Sequence, residues 1–144
     1  MKKVIAIGSD HAGVDYKAYL IKKLEKWGYE VVNFGTDGHN SVDYPDFAHP
    51  VASAVAEGRA LKGVLVCGSG NGVCITANKH EGIRAALCWN EEVATVVRQH
   101  NDANVICMPA RFVSKMRAGR MLEAFLNTEF EGGRHQNRIN KISC

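Results

Sequence analysis

The sequence predicts an α/β domain in which a five-stranded parallel sheet lies between two layers of helices, a Rossmann-like three-layer sandwich. Short β-branched runs alternate along the 144 residues with longer stretches of helical periodicity. The predicted strands are almost continuously apolar, as in VLVC and AALC, which indicates burial by helices on both faces. We therefore expect one domain over residues 1–144, with its ligand-binding residues at the carboxyl ends of the strands.

The first βαβ unit is predicted from a strand at residues 4–7, a helix at 14–27 and a strand at 30–34. Four apolar residues of this helix recur at helical spacing and are expected to face the sheet: Val14, Ala18, Ile21 and Leu24. The charged residues, Lys17 among them, are expected on the opposite, solvent-facing side. Gly28 is expected to end the helix.

The rest of the chain repeats this alternation. Further strands are predicted at 64–66, 83–87 and 104–107, and further helices at 47–57, 72–79, 91–99 and 113–126. In the helix at 47–57, Pro50 is expected to fall in the first turn, where a missing N–H costs little. Val51 and Val55 are expected to face inward. The polar segment 131–144 is expected to lie outside this core.

Composition and charge exclude several classes of protein. The 15 acidic and 18 basic residues give a formal net charge of +3 without any run of five like charges, so binding to nucleic acid is not expected. The segment MKKVIAIGSD has an apolar stretch of only four residues, too short for a signal sequence or a membrane span, which predicts a soluble, cytoplasmic protein. Five cysteines without a CxxC pair argue against disulfides and structural zinc.

The segment VLVCGSGNGVCITANK is the first candidate site. A predicted strand ends at Cys67, and Gly68, Gly70 and Gly72 lead directly into a helix, so backbone amides can turn towards an oxyanion or a phosphate. A helix N-terminus also favours a thiolate, which can act as a base or a nucleophile. The alternative is a small core cysteine beside a tight turn, but three glycines in five residues favour a functional loop.

Established glycine-rich motifs fit this loop poorly. A Walker phosphate loop requires a Gly-Lys-Ser/Thr tripeptide, whereas Lys79 lies seven residues after Gly72. A cysteine-dependent phosphatase requires an arginine where Val73 stands, so both motifs are excluded. In the dinucleotide-binding fingerprint the third glycine would stand one residue later than Gly72 does here. The fingerprint also requires an acidic residue about 20 positions further on, and Glu91 lies at a compatible distance. A dinucleotide site is therefore weakened as an alternative and not eliminated.

Two further candidates lie beside predicted strands. Asp10 and His11 follow the first strand, at the same sheet edge as Cys67, where they could transfer protons or contact a phosphate. Alternatively, Asp10 caps the next helix and His11 is an exposed loop residue. His100 and Asn101 close the helix before the fifth strand, where a histidine can also simply complement the helix dipole.

The segment EGGRHQNR contains Arg134 and Arg138, which a helix would place on one face because they are four residues apart. Two converging guanidinium groups suit a phosphate dianion, whereas the alternative is a solvated basic tail. Together, the candidates suit proton transfer next to the carbonyl of a phosphorylated small molecule, with amides stabilising an enediolate. Aldose–ketose isomerisation is one such reaction.

Six segments give the sequence a family resemblance over essentially its whole length: GSDHAG, SVDYPDFA, CGSGNGVCITANK, GIRAALC, RQHNDANV and EGGRHQNR. With these segments the chain resembles the type B ribose-5-phosphate isomerases, which group with the galactose-6-phosphate isomerase subunits. The resemblance implies interconversion of D-ribose 5-phosphate and D-ribulose 5-phosphate through a cis-enediolate, with no metal or other cofactor. It also implies homodimers, or dimers of dimers, with active sites built from both chains, and residues 131–144 are expected to reach the partner.

The resemblance also implies roles for individual residues. Cys67 resembles the base that moves a proton between C1 and C2, and Ser69, where many members have threonine, could move a proton between the sugar oxygens. Asp10 and His100 match positions that open the furanose ring. The anion hole is expected from Gly68, Gly70, Asn71 and Gly72. Contacts to the rest of the sugar are expected from Tyr44 and Asn101, and contacts to the phosphate from His11, Arg111, Arg134 and Arg138.

Two departures from the family pattern concern the base and its neighbour. One branch of the family lacks the cysteine and uses a glutamate base where this chain has Val73, so this chain is expected to use the Cys67 thiol. Cys74 stands where serine or another small residue is common, and it is expected to pack in its helix. Two other functions stay open: isomerisation of a six-carbon aldose phosphate such as galactose 6-phosphate or allose 6-phosphate, and noncatalytic binding of a sugar phosphate.

Overall fold

The computed structural model describes residues 3–144, so Met1 and Lys2, the first residues of the MKKVIAIGSD segment, lie outside the described residues. The strands are β1 (Val4–Ser9), β2 (Glu30–Asn33), β3 (Lys62–Cys67), β4 (Ala85–Leu87) and β5 (Val105–Pro109). The helices are α1 (Val14–Lys26), α2 (Pro45–Ala56), α3 (Asn71–Ala77), α4 (Glu91–Asn101), α5 (Lys115–Asn127) and α6 (Arg134–Asn140), with a 3-10 turn at His11–Gly13. Along residues 3–144, no helix is long and apolar enough to cross a membrane.

The five strands are all parallel and follow the order β2-β1-β3-β5-β4. Helices α1, α4 and α5 cover one face of the sheet, where Ile7 and Phe125 belong to one buried cluster. Helices α2 and α3 cover the other face, where Ala6 and Leu65 belong to a second cluster. Because successive residues of a strand point to opposite faces, the apolar runs of the central strands feed both clusters. The predicted three-layer sandwich is therefore confirmed.

The predicted element boundaries agree with the structure to within two residues. Helix α1 ends at Lys26, and Gly28 follows it with a φ of +92°, the left-handed conformation that commonly ends helices. Arg134 and Arg138 both lie in helix α6, so their separation of four residues places them on one face of that helix. Hydrophobic periodicity was thus sufficient to locate the five strands and helices α1 to α5, but not α6.

The outer strands are less buried than the sequence predicted. Strands β2 and β4 form the edges of the sheet, and all three residues of β4 are only half-buried. The expectation that AALC is buried on both faces is therefore wrong for Ala85–Leu87, because an edge strand has a neighbour on one side only. Strand β4 is also short, since the Arg84 N–H donates to the Asn104 side chain (2.8 Å) instead of to a strand carbonyl.

Helix α1 buries most of the predicted face, since Val14 and Leu24 are buried and Ile21 is half-buried, but two positions differ. Lys17 is 1% exposed and lies among buried residues such as Leu20 and Leu24, whereas Ala18 is exposed. The predicted positions of Lys17 and Ala18 are therefore wrong. The Lys17 ammonium group donates a 2.5 Å hydrogen bond to Asp37 Oδ1, and this partner offsets the cost of burying the charge while the methylene stem packs against apolar neighbours.

Pro50 lies deeper in α2 than predicted. The helix begins at Pro45, so Pro50 is its sixth residue and not part of the first turn. The missing N–H of Pro50 leaves the Asp46 carbonyl without its helical donor, but Asp46 is exposed and water can take that place. Val51 is buried as predicted, and Val55 is half-buried.

Replacing Asp37 by alanine is expected to lower the free energy of unfolding by about 1–3 kcal/mol, because the Lys17 ammonium loses its partner and solvent screens only the Asp37 end. The Lys17 hydrogen bond lowers the pKa of Asp37, so the stabilisation is fully present above the ordinary aspartate range and is lost as the pH falls through the lowered value. Urea denaturation at neutral pH measures the loss.

The matched control is His39→Ala, which removes an ion pair of the same loop in which both side chains are exposed, His39 with Asp15 at 3.1 Å. This control is expected to cost less than about 0.5 kcal/mol. Equal losses for the two variants would show that the buried lysine does not depend on Asp37.

Candidate active site

The strand order creates a topological switch point between β1 and β3, because the chain passes from β1 to β2 on one side and β3 pairs with β1 on the other. In such a sheet a crevice forms beyond the carboxyl ends of these two strands. Cys67 ends β3, and Asp10 follows β1. The Asp10 N–H donates to the Val66 carbonyl at 3.2 Å. Asp10 and Cys67 each come one residue after the paired Ser9 and Val66, so both belong to the sheet face covered by α2 and α3.

The glycine loop is folded around the sulfur of Cys67. The Gly70 N–H donates a hydrogen bond of 3.1 Å to Cys67 Sγ, which holds the loop over a side chain that is only 5% exposed. An N–H directed at sulfur stabilises any negative charge that forms there. Because the Gly70 N–H is used by the sulfur and the Asn71 N–H by Ser69 Oγ, an anionic substrate oxygen would be held by the remaining amides of the loop.

The glycines allow two large side chains to approach the loop. A Cβ atom on Gly72 would lie 2.6 Å from the Tyr44 ring, and a Cβ atom on Gly68 would lie 3.0 Å from Arg111 Nε. The Arg111 N–H also donates to the Gly68 carbonyl at 3.0 Å. Tyr44 and Arg111, both predicted to contact substrate, therefore lie directly against the loop that contains Cys67.

Asp10 and His11 are both held by backbone groups. Asp10 Oδ1 accepts a 2.9 Å hydrogen bond from the Ala12 N–H and caps the 3-10 turn. Asp10 thus has a capping role, but for this turn and not for α1, whose N-cap is Gly13. His11 Nδ1 accepts from the Val42 N–H at 3.2 Å, which assigns the ring proton to Nε2. His11 is half-buried, so the alternative of an exposed loop residue is wrong.

Ser69 completes this edge of the sheet. Its Oγ accepts a 3.2 Å hydrogen bond from the Asn71 N–H, and both residues are exposed. The hydroxyl proton of Ser69 therefore stays available to an outside acceptor. Ten predicted site residues lie at the carboxyl edge and are called here the carboxyl-edge group: Asp10, His11, Tyr44, Cys67, Gly68, Ser69, Gly70, Asn71, Gly72 and Arg111.

The other four predicted site residues lie at the opposite, amino edge and are called here the amino-edge group: His100, Asn101, Arg134 and Arg138. Helix α4 runs back from the carboxyl edge, and its 11 residues rise about 15 Å. Arg84, which precedes β4, donates to the Asn101 carbonyl at 2.9 Å and holds it beside the start of that strand. A single chain therefore does not bring His100 to Cys67 and Asp10.

Arg98 and Asp102, which were not predicted, hold the end of α4 in place. The buried Arg98 side chain donates to Asp102 Oδ1 at 2.7 Å and to the Ala103 carbonyl at 2.8 Å, while Asp102 adopts a left-handed φ of +46°. The spacing of four residues between an arginine and an aspartate was the available signal for this pair.

Glu131 and His135 were also not predicted as site residues, although they adjoin the amino-edge group. The His135 ring stacks on the His100 ring with 4.3 Å between centroids. Glu131 Oε1 lies 3.5 Å from His135 Nε2 and 3.9 Å from His100 Nε2. An open cavity of about 330 Å³ adjoins them and is lined by His100, Asn101, His135, Arg138, Ile139 and Ile142.

Burial disfavours ionisation of the Cys88 and Cys107 thiols. It raises the pKa of Cys88 to about 12 and raises the pKa of Cys107 well above its usual range. A hydrogen bond from Cys107 lowers the pKa of Cys74. Cys74 packs half-buried in α3, as predicted, with its Sγ 3.4 Å from the Ala85 carbonyl oxygen.

Comparison with known proteins identifies the family. Residues 5–142 match the family model described as Ribose/Galactose Isomerase. The chain belongs to the ribose/galactose isomerase family. Within this family it is 43% identical to ribose-5-phosphate isomerase B of Escherichia coli, over all of this chain and 96% of that protein. It is 44% identical to a putative sugar phosphate isomerase of Bacillus subtilis, over 96% of this chain and 94% of that protein.

Solved structures of the isomerase family share the fold. Ribose-5-phosphate isomerase B of Clostridium thermocellum matches with a TM-score of 0.95 and 47% identity, covering 96% of this chain and 94% of that one. The Mycoplasma genitalium ribose-5-phosphate isomerase B with bound ribulose 5-phosphate also matches with a TM-score of 0.95, at 42% identity, covering 99% of this chain and 95% of that one. The family resemblance predicted from the six sequence segments is confirmed.

Gly70→Ala is expected to destabilise the protein by about 2 kcal/mol more than Gly82→Ala, as measured by urea denaturation. Both glycines have a left-handed φ, +75° and +82°, so in both variants the alanine is forced into a backbone conformation that costs free energy. Only at Gly70 would the new Cβ overlap its surroundings, at 2.5 Å from Leu87 Cδ1 and 3.0 Å from the Met108 carbonyl carbon. Similar losses for the two variants would contradict the tight packing of the loop.

Proposed function

We propose that this chain is an aldose–ketose isomerase that interconverts D-ribose 5-phosphate and D-ribulose 5-phosphate through a cis-enediolate. The observation that carries the proposal is the hydrogen bond from the Gly70 N–H to Cys67 Sγ, which fixes a sulfur at the switch point of the sheet. Membership of the ribose/galactose isomerase family supports the reaction class. The relatives named ribose-5-phosphate isomerase B support the substrate.

In this proposal Cys67 is the base of the proton transfer. The thiolate takes the proton from C2 of the open-chain aldose, the C–H electron pair forms the C1–C2 double bond, and O1 becomes the enediolate oxygen. The thiol then returns the proton to C1, while the Ser69 hydroxyl moves a proton between O1 and O2. A positioned base typically contributes about 10²–10⁴-fold and an oxyanion donor about 10²–10³-fold to such a rate.

A second chain completes the site in this proposal. A two-fold axis that brings the amino-edge group of one chain to the carboxyl-edge group of its partner also brings the reverse pair together, so one interface forms two sites. Large exposed apolar side chains at the carboxyl edge support such an interface, since Trp89 is 53% and Phe112 75% exposed. The homodimer is the smallest assembly that satisfies this requirement.

Within the shared site, His100 and Asp10 open the furanose ring: one group takes the proton of the C1 hydroxyl while the other gives a proton to the ring oxygen. The phosphate dianion is held by His11 and Arg111 from one chain and by Arg134 and Arg138 from the other. These groups supply acids, bases and cations, so each step of the reaction has a protein group to perform it.

Cys67→Ala is expected to lower kcat by at least about 100-fold, because it removes both the base and the sulfur that accepts the Gly70 N–H. The measurement is the rate of ketose phosphate formation from ribose 5-phosphate. Cys74→Ala is the matched control, since Cys74 lies in the adjacent helix α3 and packs against Ala85, and this variant is expected to keep near-normal turnover. Near-normal turnover of Cys67→Ala would remove the cysteine from the mechanism.

The substrate is tested with a panel of five- and six-carbon aldose phosphates compared by kcat/KM in deuterated water. Ribose 5-phosphate is expected to exceed galactose 6-phosphate and allose 6-phosphate by more than about tenfold, since the pocket must fit the whole sugar. A preference for a six-carbon sugar would reassign the substrate, which the family's galactose branch allows. A protein that only binds sugar phosphates would incorporate no solvent deuterium into carbon.

A further inference from the structure

Three metal-ligating side chains converge at the amino edge of the sheet. The ligand atoms of His100, Glu131 and His135 all lie within 4.8 Å of one another. We propose that these three residues form a site for a divalent transition-metal ion such as Zn²⁺, and that the bound ion inhibits the isomerase. The site is distinct from the groups that perform the proposed reaction, of which it shares only His100.

The geometry of the cluster is close to that of a zinc site. Zinc bonds of about 2.0–2.1 Å at tetrahedral angles place neighbouring ligand atoms about 3.3–3.4 Å apart. Glu131 Oε1 is already 3.5 Å from His135 Nε2 and 3.9 Å from His100 Nε2. The side chains of Glu131 and His100 are 51% and 45% exposed, whereas that of His135 is 12% exposed. Rotation of the Glu131 and His100 side chains towards the His135 ring can therefore close the remaining gap.

The backbone fixes the cluster independently of its side chains. Glu131 lies three residues before α6 and His135 is the second residue of that helix. Gly132 and Gly133, both with a left-handed φ, turn the chain between them, so that Glu131 Oε1 lies 3.5 Å from His135 Nε2. The Glu131 N–H donates to the Gln99 carbonyl at 3.1 Å, which joins this segment to the end of α4 beside His100. The three ligands thus come from two segments that are held together by a main-chain hydrogen bond.

The ligand set favours zinc and its neighbours over hard cations. Two imidazole nitrogens and one carboxylate are ligands of zinc, whereas Mg²⁺ and Ca²⁺ prefer oxygen ligands. Arg138 lines the same cavity, and its positive charge repels every cation. An ion must therefore gain its binding energy from strong bonds to imidazole, as Zn²⁺, Co²⁺, Ni²⁺ and Cu²⁺ do.

Metal binding at this site would oppose the proposed reaction. An imidazole nitrogen that coordinates a metal has no lone pair with which to exchange protons, so His100 could not open the sugar ring. This consequence rests on the proposed function, whereas the binding of the ion does not. The isomerase is expected to keep its activity in the presence of a chelator and to lose it as Zn²⁺ is added.

The site is tested by titrating the chelator-treated full-length protein with Co²⁺, a visible-absorbing probe for tetrahedral sites, and then displacing it with Zn²⁺. The wild type is expected to bind one ion per site, and Glu131→Gln and His135→Ala are each expected to weaken binding by more than about tenfold. The matched control is the double variant His49→Ala/His80→Ala, which removes the other close histidine pair, with 2.7 Å between its ring nitrogens. Its Co²⁺ spectrum is expected to be unchanged.

Three results would overturn the site: no spectral change in the wild type, unchanged affinity in Glu131→Gln, or loss of binding in the His49→Ala/His80→Ala control. Zn²⁺ is further expected to inhibit isomerisation in the wild type at concentrations that leave Glu131→Gln active. Zinc that binds without inhibiting would refute the inhibitory role. The Co²⁺ titration does not use the reaction, so it decides the site even if ribose 5-phosphate is not the substrate.

Discussion

The hydrogen bond from the Gly70 N–H to the Cys67 sulfur is the interaction on which the rest of the site depends. It requires a left-handed residue at the start of α3, packed so closely against β5 that only glycine fits. The parallel register of β1 and β3 then brings Asp10 and Cys67 to the same edge of the sheet, each one residue after the paired Ser9 and Val66. Once the backbone holds the thiol in this way, the neighbouring glycines leave room for Tyr44 and Arg111.

The fold also determines what one chain cannot do alone. Each connecting helix returns from the carboxyl edge of the sheet to the amino edge, so residues at the end of α4 lie one helix length away from residues at the end of β3. His100 and the two arginines of α6 therefore form a separate half of the proposed site. The proposed two-fold dimer would resolve this separation without any change of fold, because it would pair unlike edges of identical chains.

Hydrophobic periodicity predicted the layers and located the five strands and helices α1 to α5, because burial on both sides of a sheet leaves a strong pattern in the sequence. It predicted neither α6 nor the 3-10 turn. It could not reveal contacts between distant residues. Lys17 can be buried because its ammonium group pairs with Asp37, which lies 20 residues further along the chain. Ala85 is half-exposed because β4 is an edge strand. The chemical residues were predicted from motifs, but their division between two edges follows from the direction of the helices. No periodicity predicted Glu131, because it lies before α6 and is brought to His135 by the turn at Gly132 and Gly133.

The most direct test of the account is to refold chains carrying Cys67→Ala together with chains carrying His100→Ala. Each variant alone lacks one group in every site and is expected to be almost inactive. In a random mixture half of the dimers contain one chain of each kind, and one of their two sites is intact, so about a quarter of the wild-type activity is expected to return. A mixture no more active than its separate components would contradict a site in which the thiol and the imidazole come from different chains.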